Sequence, residues 1–188
     1  MLGGWDKQDV AQAQLERVTE ELRDPSHVGP FAGFLWAMRE IGLKRGTLLD
    51  AGCGVGHYGV LCERAFSQII YVGTDASEAM IAEARLLAPM SNFYVVDFTA
   101  NMFGAVDIVL ASSVVEMLPD PRAALEFMLS EARDYVILNR MRITQDGGPS
   151  RALAEHTYCG NIGRQWLWNL GELREIVTRH ANWTTALN

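Results

Sequence analysis

The fourteen residues "LLDAGCGVGHYGVL", Leu48 to Leu61, decide the fold of this chain. They begin as an apolar run, break into Gly52, Gly54 and Gly56, and continue as an amphipathic segment. An apolar run that ends in closely spaced glycines and then takes up helical periodicity reads as a buried strand, a tight turn and a helix. A turn of this kind lets a ligand approach the backbone closely, because there is no Cβ to collide with it. The spacing limits which ligand. A dinucleotide fingerprint needs G-x-G-x-x-G; here the glycines run G-x-G-x-G and His57 stands where the third fingerprint glycine belongs. No Gly-Lys-Ser/Thr follows, so a Walker-type phosphate loop is excluded. Asp50, just before the turn, would repel a phosphate and suits a ligand that carries positive charge.

Working outward, "GTLLDAG", "QIIYVGTD", "NFYVVDF", "VDIVLASS" and "DYVILNR" read as five short strands, apolar on both faces. The segments between them, "GHYGVLCERAF", "SEAMIAEARLLA" with Ser77 as N-cap, and "DPRAALEFMLSEA" with Asp120 as cap and Pro121 in the first turn, read as helices. Strands of this composition separated by helices predict an α/β fold. The expected architecture is a Rossmann-like, doubly wound, mostly parallel sheet with helices on both faces. Ligands of such sheets sit beyond the carboxyl ends of the strands, beside the first one.

Two helices precede the first strand. "WDKQDVAQAQLERVTEELR" places Val10, Ala13, Leu15, Val18 and Leu22 near one side, and "PFAGFLWAMREIGL" has Pro30 in its first turn and Gly42 at its end. Residues 1–45 are therefore expected to form an N-terminal helical extension of the domain built by residues 46–188. It would act as a lid, with Trp5, Phe31, Phe34 and Trp36 available to close over an acceptor. After Met141 the pattern fades, up to Trp168. "HTYCGNIGRQWLWN" offers a short strand or lid, "LGELREIVTRHA" a helix and "NWTTALN" a last strand.

Composition narrows the class. The 188 residues, 49% hydrophobic and 21% charged, suit one domain with a full-sized core. No apolar stretch reaches the roughly 20 residues that a membrane span needs, and the polar, acidic N-terminus is not a secretory signal. Cys53, Cys62 and Cys159 form no C-x-x-C pair and read as reduced thiols, with no metal site. A cytoplasmic protein is expected. The net charge of −7 argues against a nucleic-acid partner. Arg140, Arg142, Arg151 and Arg164 cluster in one stretch, which reads first as a solvated basic loop and otherwise as an anion-binding rim near the substrate.

The ordered set of motifs is more specific than any one of them. "LLDAGCGVG" resembles the first motif of the class I S-adenosylmethionine-dependent methyltransferases, in its D-x-G-C-G-x-G form. "YVGTDASEAMIAEAR" resembles their second strand and following helix, "FYVVDF" the third-strand motif, and "VDIVLASSVVEMLPDP" the fourth. The resemblance covers about residues 46 to 140. It implies S-adenosyl-L-methionine as cofactor. Gly52, Cys53, Gly54 and Gly56 would shape the turn around the amino-acid tail, Asp50 would supply negative charge near the tail's amino group, and the helix after Gly56 would turn its positive end toward the tail carboxylate. It further implies Asp75 as acceptor of the ribose hydroxyls, Asp97 for the adenine amine, Ala76 and Phe98 as apolar walls of the ring, Ser112 beside the methionine portion, and Tyr58 within reach of the cofactor. His57 is expected to pack.

The implied reaction is methyl transfer to a small-molecule acceptor by in-line displacement, for which alignment and exclusion of water matter most. A general base is needed only where the acceptor must lose a proton. Glu116, His156 and Tyr158 are the catalytic candidates, with Asn139 and Arg140 as further acceptor contacts. A nicotinamide-dependent oxidoreductase and a non-catalytic cofactor-binding or regulatory subunit are the competing classes. The family's sheet ordinarily closes with two more strands. This chain shows only "NWTTALN" after its last helix, so either the fold is shortened at its C-terminus, or "TYCGNIGRQWLW" supplies a strand, or the sequence is truncated. The exposed edge of the fifth strand would then be covered by the middle segment, by a second copy or by a partner chain.

Overall fold

The structure, a computed structural model, describes residues 6–97, 104–153, 156–158, 161–163 and 165–180. Helices α1 (Gln8–Glu21) and α2 (Gly29–Ile41) lead into β1 (Gly46–Ala51), α3 (His57–Ala65), β2 (Ile69–Asp75), α4 (Glu78–Leu87), β3 (Asn92–Val95), β4 (Val106–Ser112), α5 (Pro121–Glu131) and β5 (Ala132–Asn139). A single turn of 3-10 helix, Val115–Met117, follows β4. The five strands form one sheet in the order β3-β2-β1-β4-β5, every neighbouring pair parallel. The chain thus winds from β1 outward through β2 and β3, then crosses back to β4 and β5. The order reverses between β1 and β4, which is where such sheets open a crevice at their carboxyl ends.

Side-chain alternation explains why both faces of this sheet are buried. On β1, Leu48 joins the core shared with α1 to α4, while Leu49 joins the opposite core against α5. On β4, Ile108 and Leu110 point to the first core and Val109 and Ala111 to the second. Period-two alternation of residues that are apolar at every position needs a helical layer on each side. Full burial of a Leu or Ile side chain contributes about 2 kcal/mol, so these central strands anchor the domain. Caps fix the helix ends: Ser77 accepts from the Met80 amide at 3.2 Å, Asp120 from the Ala123 amide at 3.0 Å, and Gly42 ends α2 with φ +67°.

The N-terminal helices belong to the first core. On α1, Val10, Ala11, Val18 and Leu22 are buried and Leu15 is half-buried, but Ala13 is exposed. The face is centred on the Val10–Gln14–Val18 row, spaced four apart along the helix, and this row leaves Ala13 on the far side. On α2, Phe31 and Phe34 lie in the core against His57 and Tyr58, and Trp36 is half-exposed. The Asn139 side-chain amide donates to the Pro30 carbonyl at 2.9 Å, tying the start of α2 to the end of β5. Phe31 and Phe34 are core residues here, and Trp5 lies outside the described residues.

The weakly patterned segment forms β6 (Ile143–Thr144), β7 (Arg151–Ala152), β8 (His156–Tyr158), β9 (Asn161–Gly163) and β10 (Trp166–Asn169), followed by α6 (Leu170–His180). β10 runs between β6, parallel, and β7, antiparallel; β8 and β9 pair with each other. Among the described residues none of these strands pairs with β5, so of the expected covers for that edge the middle segment does not serve as one, and a second copy or a partner chain is left. Two- to four-residue strands do not run alongside the eight of β5; β10, which carries the fully buried Trp168, leads directly into α6 instead. The expected last strand, residues 182–188, lies outside the described residues.

Candidate functional site

The glycine turn caps the carboxyl end of β1 at the reversal point. Gly52, Gly54 and Gly56 have φ of +73°, +54° and +78°, a region open to glycine and strained for other residues. The turn is pinned to β2: the Gly52 and Cys53 amides donate to the Thr74 carbonyl at 2.8 and 2.9 Å, and the Gly54 amide donates to Asp75 Oδ2 at 2.9 Å. Asp75 Oδ1 accepts from the Ser77 amide at 3.0 Å. One carboxylate therefore joins the turn, the end of β2 and the start of α4. Burial pushes its pKa up, against the backbone amides that lower it. The Val96 amide donates to the Asp75 carbonyl at 2.9 Å, so β3 delivers Asp97, an exposed residue, to the same edge. Ala76 is exposed beside Asp75. Phe98 lies outside the described residues.

Three predicted cofactor residues turn inward. Asp50 is 1% exposed and accepts a short hydrogen bond from the Tyr71 hydroxyl. Burial pushes its pKa up to about 7, helped by the charge of Asp75 and opposed by the Tyr71 bond. Cys53 is buried with its thiol pushed well up by burial, so it fills space as a neutral group. Tyr58 is buried between Phe31 and Phe34. Its hydroxyl shares a hydrogen with Ser112 Oγ at 2.8 Å and accepts from the Asn139 amide at 2.8 Å. The Tyr58–Ser112–Asn139 network locks the carboxyl ends of β4 and β5 to α3.

Beyond that network lie the acceptor candidates. Glu116, on the single turn after β4, is 2% exposed; its Oε1 accepts from the Ser113 hydroxyl at 3.2 Å, and burial pushes its pKa up. Ser113 and Arg140, the residues that follow β4 and β5, hold φ of +57° and +60°, and the Ser113 amide donates to the Asn139 carbonyl at 3.1 Å. His156 and Tyr158 fall on β8, away from the five-stranded sheet's register. The structure thus gathers Glu116, Asn139 and Arg140 at one edge. It places His156 and Tyr158 in a different sheet.

One residue escaped the sequence reading. A Cβ on Gly54 would meet the Gln14 side chain at 3.0 Å, so α1 lays this amide over the turn. The signal was present: Gln14 is the polar member of the otherwise apolar Val10–Gln14–Val18 row. Four buried polar atoms around the turn, Gln14 Oε1, Asp50 Oδ1, His57 Nδ1 and Glu116 Oε2, have no hydrogen-bond partner among the described residues. Buried polar atoms are ordinarily paired. A ligand carrying an ammonium, a carboxylate and ribose hydroxyls fits this edge in type: acceptor oxygens for the ammonium, helix amides for the carboxylate, and Asp75 for the hydroxyls.

A Rossmann-like parallel sheet, a glycine turn at its reversal point and an acidic residue at the end of the second strand define an α/β domain with its crevice at the carboxyl edge. Residues 49–133 match a family model described as "Methyltransferase domain". The chain is 30% identical over 112 residues to the trans-aconitate 2-methyltransferase of Azoarcus sp. (strain BH72), covering 59% of this chain and 44% of that relative. The chain spans a quarter to a half of the length of the curated relatives it matches. Among solved structures, it is similar to a chain of the complex between the Haloferax volcanii Trm112 methyltransferase activator and a methyltransferase. The TM-score is 0.66 at 18% identity, over 93% of this chain and 76% of that one. It is also similar to the [4+2]-cyclase SpnF, with TM-score 0.60 at 19% identity over 80% of this chain and 56% of that one.

Proposed function

We propose that this chain transfers the methyl group of S-adenosyl-L-methionine to a small-molecule acceptor by in-line displacement. The observation that carries the reading is the Gly52–Gly56 turn tied through the Gly54 amide to Asp75. When bound there, S-adenosylmethionine supplies a methyl carbon already activated by its sulfonium. The protein's part is to hold and align. Asp75, with Asp97 and Ala76 beside it, takes the nucleoside end, and Asp50 provides negative charge behind the turn. The start of α3 directs its amides outward. Glu116, whose burial favours the protonated form, is placed to exchange a proton with an acceptor at the ends of β4 and β5. His57 in the place of the third fingerprint glycine disfavours the nicotinamide alternative.

Incubation with labelled S-adenosylmethionine and a panel of small acceptors tests the proposal. Accumulation of S-adenosylhomocysteine that depends on one acceptor supports it. Tight binding of S-adenosylhomocysteine without turnover on any acceptor would favour a non-transferring role, a reading raised by the likeness to a named cyclase. Asp75→Ala removes the acceptor for two backbone amides and for the ribose. It is expected to weaken S-adenosylhomocysteine binding by about 2 kcal/mol, roughly thirtyfold, as read by titration calorimetry. Unchanged affinity would remove Asp75 from the site.

The proposal extends to setting and assembly. Cys53 and Cys62 are buried free thiols, which agrees with a reducing cytoplasm. No helix among the described residues is long and apolar enough to cross a membrane. Among the described residues β5 has β4 alone as strand neighbour, and Tyr135 on it is 41% exposed. A second copy of the chain covering this edge is expected to appear as a dimer in light scattering. A monomer at all concentrations would contradict it.

A further inference from the structure

The glycine turn engages its own amide donors internally. The Gly52 and Cys53 amides go to the Thr74 carbonyl, the Gly54 amide to Asp75 Oδ2, and the Gly56 amide to the Cys53 carbonyl at 3.0 Å. A ligand group lying over Gly54 therefore meets acceptors and not these donors. Helix α1 supplies one such acceptor. A Cβ on Gly54 would stand 3.0 Å from Gln14 Oε1 and 3.1 Å from Gln14 Nε2, so the whole carboxamide lies over that glycine. Oε1 is buried and has no hydrogen-bond partner among the described residues. Asp50 Oδ1, just ahead of the turn, is a second buried acceptor without a partner among them.

The helix that carries Gln14 is fastened on both sides of it. Gln8 Nε2 donates to Glu83 Oε1 on α4 at 2.9 Å, and Arg64 Nη1 on α3 donates to the Leu22 carbonyl at 2.9 Å. Val10 and Val18, one turn before and one turn after, are both 1% exposed. A leucine or methionine would complete this row without leaving a carbonyl oxygen unpaired. A buried acceptor with no donor destabilises the protein that holds it. The amide therefore points to a donor that arrives with a ligand. The anchors at Gln8 and Leu22 hold the amide in position beforehand, which limits the ordering cost of binding.

Resting on the methyl-transfer reading, we propose that Gln14 is a cofactor-binding residue whose Oε1 accepts a hydrogen bond from the ammonium of the amino-acid tail, which makes α1 a wall of the cofactor site. The tail carboxylate carries acceptors alone and cannot satisfy Oε1. The ribose hydroxyls and the adenine amine are donors, but the proposed reading gives them to Asp75 and Asp97. The ammonium is the donor that remains. A hydrogen bond from a charged donor is stronger than one from a neutral group, so removing its acceptor should be visible in affinity.

The probes are S-adenosylhomocysteine and its deaminated analogue, in which hydrogen replaces the amino group while adenine, ribose, sulfur and carboxylate are kept. Both are titrated calorimetrically. Wild-type binding of S-adenosylhomocysteine is measured first, and its absence would overturn the methyl-transfer reading and the present inference together. Where it binds, Gln14→Met is expected to weaken S-adenosylhomocysteine by about tenfold or more and the deaminated analogue by less than about twofold. The same variant should melt no lower than the wild type, because a thioether replaces an unpaired buried amide; a lower melting temperature would overturn the premise that Oε1 is unpaired in the free protein. Gln12→Met, on the exposed face of α1, should bind both ligands as the wild type does. Undiminished S-adenosylhomocysteine binding in Gln14→Met, or equal losses for the two ligands, would overturn the assignment of Gln14 and leave the methyl-transfer reading standing.

Discussion

Gly56→Ala is expected to destabilise the protein by about 4 kcal/mol. Two effects add. Gly56 has φ +78°, which costs a residue with a Cβ about 1 kcal/mol or more. A Cβ there would also stand 2.8 Å from Phe93 Cζ and 2.9 Å from Ala84 Cβ. Both neighbours are buried, Ala84 on α4 and Phe93 on β3, so neither has room to withdraw, and overpacking of this kind costs about 1–3 kcal/mol. Gly147 separates the two effects, since it shares a positive φ of +77° but has nothing within 4 Å of a built Cβ. Gly147→Ala should therefore cost only about 1 kcal/mol. Urea unfolding of both variants checks the difference. Equal losses would mean that conformation alone, and not the close approach of α4 and β3 to the turn, demands glycine at Gly56.

Asp50→Asn is expected to make stability rise more steeply from about pH 4 to about pH 7 than it does in the wild type, because the raised Asp50 pKa lowers stability over this window while the depressed pKa of buried His57 raises it. The Asp50 pKa is raised from the ordinary 3.8 to about 7, chiefly by burial. Between these values the folded protein keeps a proton that the unfolded chain has released, so raising the pH favours unfolding. A shift of this size corresponds to a loss on the order of 4 kcal/mol at most. The Tyr71 hydroxyl bond is what restrains the shift, so Tyr71→Phe should carry the Asp50 contribution to higher pH. Thermal melts from pH 4 to pH 8 decide it. An Asp50→Asn profile with the same slope as the wild type would show that Asp50 is not a contributing group. A positively charged ligand group at the turn would favour ionised Asp50, so binding should release protons near neutral pH.

The parts legible in the sequence are those where local pattern and tertiary demand agree. The five sheet strands announce themselves by their short Val-, Ile-, Leu- and Tyr-rich runs, although only β1 and β4 are buried on both faces, and the turn because its glycines are needed for backbone shape. Ser77, Asp120 and Gly42 were readable because capping is a local interaction. What escaped is what depends on neighbours distant in sequence. Gln14 touches Gly54 across forty residues. The inward turn of Asp50 follows from Tyr71 on the next strand, and the network of Tyr58, Ser112 and Asn139 draws on three elements. The short strands β6 to β10 lack periodicity, since two to four residues are too few to show it. Ala13 reads as part of the buried face of α1 because an alanine is apolar wherever it stands, yet it is exposed; only the four-residue row through Gln14 sets the true face.

The central claim is that the glycine turn, with Asp75 beside it, holds S-adenosylmethionine and its demethylated product. Titration calorimetry of the purified chain with S-adenosylhomocysteine and with NAD, each also run in the presence of the other, tests it most directly. Saturable heat with S-adenosylhomocysteine, lost or sharply weakened in Asp75→Ala and undisturbed by NAD, is the predicted result. No heat with S-adenosylhomocysteine and saturable heat with NAD would contradict the account.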